Sequence, residues 1–90
     1  MEQTGKKTSL EYDESLDARG LNCPLPILKT KVILNRMQAG KVIRVESTDP
    51  HSVVDFEAYC ARTDHELMDS IEEEGVYTFY IRCAENPRKY

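Results

Sequence analysis

Asn22-Cys23-Pro24-Leu25-Pro26-Ile27-Leu28-Lys29-Thr30 is the stretch of this 90-residue chain on which the fold is read. A proline is tolerated in the first turn of a helix, where its missing N–H would have had no intrahelical partner. Pro24 and Pro26 therefore mark a helix start, with Cys23 at the N-cap. From Pro24 to about Gln38, Ile27, Thr30, Leu34 and Met37, flanked by Ile33, recur at helical spacing and form the expected buried face. Gly40 follows as the stop.

Upstream, Leu16-Asp17-Ala18 reads as a short strand ended by Gly20. Downstream, Lys41–Ser47 alternates Ile43 and Val45 against Arg44 and Glu46, the pattern of a strand. Asp49-Pro50 repeats the helix-start signal, with Asp49 as N-cap, and Val53, Phe56 and Cys60 supply the apolar face of a second helix ending near Asp64. Leu67–Ile71 is a third strand, Glu73-Glu74-Gly75 a turn, and Val76–Cys83 an aromatic-rich fourth strand. The order β-α-β-α-β-β predicts an α/β two-layer sandwich, two helices on one face of a four-stranded mixed sheet. The domain is expected over 14–83, between a loose N-terminal arm over 1–13 and a tail over 84–90.

Ninety residues, 40% apolar and 31% charged, suffice for one domain and one core. Three cysteines are an odd number, and the polar start Met1–Ser9 does not resemble a signal peptide, which together point to free thiols in a reducing cytoplasm. No apolar run approaches the roughly twenty residues of a membrane span. The net charge of −4 counts against a chain that coats nucleic acid. That charge is unevenly spread: six of the twelve basic residues and none of the sixteen acidic ones fall between Ala18 and Val45, so this segment carries +6 and the remainder −10.

Cys23 is the candidate reactive group. A thiol at a helix N-terminus sits by unpaired N–H donors and the positive end of the helix dipole, both of which favour thiolate. With Pro24 and Pro26 unable to donate, the Leu25 N–H is the main donor aimed at the sulfur, and a modest lowering of the thiol pKa is expected. The two fixed φ angles hold the turn rigid and the sulfur at a defined, exposed point. The bases of the positive segment, Arg19 and Lys29 foremost, are expected to attract an anionic sulfur species and its partner.

The run Leu16-Asp17-Ala18-Arg19-Gly20-Leu21-Asn22-Cys23-Pro24-Leu25-Pro26 resembles the signature of the TusA/SirA family of small sulfur-carrier proteins, Cys-Pro-x-Pro after a Leu-Asp-x-x-Gly-Leu segment. The likeness continues through Met37–Gly40, Thr48-Asp49-Pro50, Asp55-Phe56 and His65-Glu66-Leu67 to Tyr80-Ile81-Arg82, covering about Leu16–Arg82. The resemblance implies a two-layer α/β fold, a sulfane sulfur accepted on Cys23 as a persulfide, and its relay to another protein. It implies a cysteine desulfurase or rhodanese-like protein as donor and a DsrE-like or other sulfur acceptor. The branches of the family serve 2-thiouridine formation in tRNA, sulfur oxidation and molybdenum-cofactor synthesis. Between the prolines, where the tRNA branch can carry an acidic residue, this chain has Leu25.

Leu25, Leu28 and Val32 form a second apolar stripe on the first helix, which either docks a partner or widens the core. Asp17 and Gly20, with Pro24 and Pro26, are read as support of the site, Gly20 by permitting a tight turn. Cys60 and Cys83 are in phase with core positions and read as buried. With no CxxC and with His51 and His65 in separate contexts, neither a metal nor a dithiol redox motif is expected, and the sulfur is carried without a cofactor. Competing readings are an adaptor that docks partners without handling sulfur, and direct RNA binding, which the acidity and the lack of aromatic residues in Ala18–Val45 disfavour.

Overall fold

A computed structural model describes residues 11–85 of the chain. Its elements are β1 (Glu14–Ala18), α1 (Leu25–Leu34), β2 (Val42–Ser47), α2 (Ser52–Thr63), β3 (Glu66–Glu73) and β4 (Val76–Arg82), in the β-α-β-α-β-β order that the sequence predicts. The sheet runs β1-β2-β4-β3, with β1 parallel to β2 and the other pairs antiparallel, so it is mixed.

Alternation along β2 and β4 sends one set of side chains toward the helices. Ile43 and Val45 of β2 and Phe79 and Ile81 of β4, with Cys83 beyond it, form one core with Leu34 of α1 and Phe56, Tyr59 and Cys60 of α2. Ile27, Ile33, Met37 and Val53 pack against its edge, as their spacing predicts. Phe56 stacks on Phe79 at 4.5 Å between ring centroids. On the opposite face, Arg44 reaches the Tyr80 hydroxyl at 3.2 Å and lies over the Tyr12 ring.

Several boundaries differ from expectation, each for a local reason. The helix expected over 24–38 closes at Leu34, where Arg36 and Met37 donate to the carbonyls of Ile33 and Leu34 in tighter turns. Asp49 is not the N-cap of α2; that position is His51, and the Asp49 carboxylate instead accepts the His51 N–H at 3.0 Å in a turn before the helix. The turn between β3 and β4 shrinks to Glu74 and Gly75, both at positive φ, because Glu73 still pairs with Val76. Of the arm expected over 1–13, residues 1–10 lie outside the described ones. Asp13 is fastened to the sheet, its N–H donating to the Val42 carbonyl and its carboxylate accepting the Val42 N–H. Residues 86–90 of the expected tail also lie outside the described ones.

The loop from β2 into α2 turns on a buried hydroxyl pair. Ser47 and Ser52 meet at 2.7 Å, and the Ser47 hydroxyl also accepts the Asp49 N–H. Buried hydroxyls without partners would be costly, so this pairing fixes where Thr48-Asp49-Pro50 sits relative to the sheet.

His65, buried at the start of β3, accepts the Ala84 N–H on Nδ1 at 3.0 Å. Burial lowers its pKa below the 6.5 of an exposed imidazole, outweighing the pull of Asp64 in the other direction. As pH falls through about 6.5 the unfolded chain takes up this proton and the folded chain does not, so stability declines toward acid pH. Urea unfolding across this window is expected to show that decline in the wild type and a flatter profile in His65→Gln; equal slopes would remove His65 as the cause.

Candidate functional site

Cys23 stands in the loop between β1 and α1, exposed, whereas Cys60 and Cys83 are buried in the core. Burial drives the Cys60 thiol up to about 12 and raises that of Cys83. A thiol so buried is protonated and inert at neutral pH, which leaves Cys23 as the one cysteine available to a partner.

The loop is held from below by the β2–α2 turn. The Gly20 N–H donates to Thr48 Oγ1 at 2.8 Å, and the Cys23 N–H donates to the Asp49 carboxylate. Gly20 takes φ +84, which only glycine adopts without strain and which turns the chain from β1 toward the helix. Asp17 accepts both the backbone N–H and the guanidinium of Arg19, at 3.1 and 2.8 Å. Arg19 in turn draws the Asp17 carboxyl down to about 2. Asp17 and Arg19 are thus paired with each other at the exit of β1, on the exposed side of the loop.

The prolines are shifted by one place from expectation. Pro24 is itself the N-cap and Pro26 the second helical residue, with a cis peptide bond between Cys23 and Pro24. Pro26 is buried, and its carbonyl accepts the hydroxyl of buried Thr30 at 2.8 Å. The Leu25 N–H, expected to face the sulfur, donates to the Asn22 carbonyl at 2.8 Å. The helix terminus therefore does not cradle Cys23 Sγ.

What faces the sulfur is a carboxylate. Cys23 Sγ donates to Asp55 Oδ2 at 3.1 Å, reaching across to the first turn of α2. The expected lowering of the thiol pKa is overturned: this hydrogen bond raises it, helped by desolvation and by the charges of Asp55 and Asp49. The field at a sulfur is set by its nearest groups, and these are carboxylates from outside the +6 segment. Arg19 is spent on Asp17, and it borders a surface cleft with Arg44, Glu46 and Ile71.

Leu25, Leu28 and Val32 are exposed by 43%, 45% and 59%. Of the two readings of this stripe, widening of the core is thus excluded, and an uncovered apolar band begins two residues from Cys23 and continues along α1. Lys29 is exposed on the same helix. Thr48, Asp49 and Asp55 are the residues that sequence reasoning missed at the site. All three lie in the likeness noted above, but nothing local in the chain shows that they converge on Cys23.

Comparison with known proteins places the chain in a family. The sequence profile of the family described as Sulfurtransferase TusA matches residues 14–83. The sulfur carrier protein TusA of Allochromatium vinosum is 53% identical over 72 residues, covering 80% of this chain and 95% of that protein. The protein of the same name from Pseudomonas entomophila is 40% identical over 75 residues, covering 83% and 94%. A crystal structure of a SirA-like protein from Desulfitobacterium hafniense superposes with a TM-score of 0.71 over 81% of this chain and all of that one, at 24% identity, a likeness of fold. With the family profile spanning the whole sandwich and these relatives in agreement, the chain belongs to the sulfurtransferase TusA family.

Proposed function

We propose that this protein is a sulfur carrier in which Cys23 accepts a sulfane sulfur as a persulfide and yields it to a thiol of a partner protein. The observation that carries the reading is a single accessible thiol, on a loop pinned to the fold at Gly20 and Cys23, bordered by an uncovered apolar stripe. The relatives named as sulfur carriers support it. In the transfer, the Cys23 thiolate attacks the outer sulfur of a donor persulfide; one S–S bond breaks as another forms, and an acceptor thiolate later repeats the exchange. This chemistry asks for no metal or organic cofactor. It suits a reducing compartment such as the cytoplasm, and among the described residues no helix is long and apolar enough to cross a membrane.

A cysteine desulfurase supplied with free cysteine is a suitable donor for the test, and a rhodanese-like protein is an alternative. Incubation should add one sulfur mass to the peptide bearing Cys23. A chain that stays unmodified with both donors would overturn the reading.

The exposed stripe gives the adaptor reading its one specific support, and a single substitution separates the two. Leu28→Glu places a charge in the middle of the stripe and is expected to slow partner-dependent loading by about tenfold or more, as loss of a buried apolar anchor does at protein interfaces. Alkylation of Cys23 by a small reagent should be unchanged. If Cys23→Ala keeps activity in cells and Leu28→Glu abolishes it, the adaptor reading prevails.

A further inference from the structure

We propose that Asp55 biases Cys23 toward giving sulfur up rather than keeping it, because its carboxylate has a partner in the empty thiol and none in the loaded persulfide. The inference rests on the carrier reading above and concerns the same site. In the empty protein the S–H of Cys23 donates to Asp55 Oδ2 at 3.1 Å. Once loaded, Sγ is bonded to the transferred sulfur, has no proton to donate, and carries an anionic sulfur beyond it. The same oxygen then meets lone pairs and negative charge.

Every charged group identified at the sulfur has the same sign. Asp55 approaches from α2, and Asp49 from the β2–α2 turn, where it accepts the Cys23 N–H and has His51 Nδ1 at 3.8 Å. Like charge at short range disfavours the persulfide anion. Both effects, a stabilised thiol and a disfavoured persulfide, move the exchange the same way.

The exchange balances without a third reactant. Loading breaks the S–S bond of the donor persulfide and forms one at Cys23 Sγ. The thiol proton of Cys23 leaves to the donor's released sulfur, with Asp55 Oδ2 the acceptor nearest to hand, and no net oxidation occurs. Reversal with an acceptor thiol returns a proton to Sγ and restores its hydrogen bond to Asp55, so unloading regains a contact that loading lost.

The test uses the full chain at a fixed ratio of glutathione persulfide to glutathione, with the loaded fraction read by intact mass. Asp55→Asn is expected to raise the loaded-to-empty ratio about three- to tenfold, the scale of one exposed charge-assisted hydrogen bond. In the sulfur-free protein, the pH midpoint of Cys23 alkylation by iodoacetamide should move down. Asp55→Ser should give both shifts if Asp55→Asn folds poorly, and Glu57→Gln, which removes a charge from the same helix, should give neither. An unmoved partition ratio in a folded Asp55 variant overturns the bias, even where the alkylation midpoint moves. Equal shifts in Glu57→Gln overturn it also, by assigning the effect to net charge. A wild type that takes no sulfur at Cys23 from glutathione persulfide, a cysteine desulfurase or a rhodanese-like donor overturns the carrier reading and this inference together.

Discussion

Cys23→Ser is expected to take up no sulfur from any donor while unfolding at nearly the urea concentration of the wild type. A hydroxyl is not ionised at neutral pH and forms no persulfide, so the loss is complete rather than graded. The fold is indifferent to the change because the sulfur is exposed and the contacts that hold the loop come from the backbone: the Cys23 N–H to Asp49 and the Gly20 N–H to Thr48. Serine can also donate to Asp55. Cys60→Ser is the complement. It places a hydroxyl among Phe56, Tyr59 and Phe79, costs about 1–3 kcal/mol if that hydroxyl finds no partner, and leaves sulfur uptake intact. Intact mass after loading and urea midpoints for both variants check the pair, and sulfur on folded Cys23→Ser would move the chemistry to another cysteine.

Phe56→Ala is expected to remove about 3–5 kcal/mol, the range for a large core aromatic cut to a methyl. Domains of this size have roughly 5–13 kcal/mol in total, so the variant sits close to unfolding. Phe56 is fully buried, stacked on Phe79 and surrounded by residues of both layers, so the cavity cannot be refilled by a small shift of one helix. Truncation to alanine is nearly silent two residues earlier. Val54 is 61% exposed, and Val54→Ala should change stability by no more than about 0.5 kcal/mol. If urea unfolding gives the two variants similar midpoints, the core is not organised around Phe56.

Periodicity and proline chemistry made most of the fold legible. Ile43 and Val45 against Arg44 and Glu46, with Phe79 and Ile81 on β4, state a sheet with one face toward the helices, and the structure has it; Tyr80, on the other face, is buried as well, beside Arg44 and Tyr12. The ends of α1 and α2 were less legible because a proline is compatible with several positions near a helix start: Pro24 fits the N-cap as well as the first turn. At the site, Cys23 announced itself through its neighbours in the chain. Its electrostatics did not, because Asp49 and Asp55 lie 26 and 32 residues away and meet it only when the β2–α2 turn and α2 fold against the loop. The helix start pointed to a lowered thiol pKa, and two carboxylates from outside the +6 segment reverse the direction.

The loop that carries Cys23 is stitched to Thr48 and Asp49, which belong to another part of the chain. The Cys-Pro-x-Pro motif is therefore not a portable cassette. A peptide cut from Leu16–Leu34, or a transplant of those residues onto a foreign helix, keeps the letters of the motif and loses the two tethers and the Asp55 carboxylate. Its cysteine would be an ordinary thiol on a frayed turn, alkylated at an ordinary rate and presented in no fixed direction. An engineer who wants this cysteine's chemistry in another protein has to move the turn after β2 and the first turn of α2 along with it.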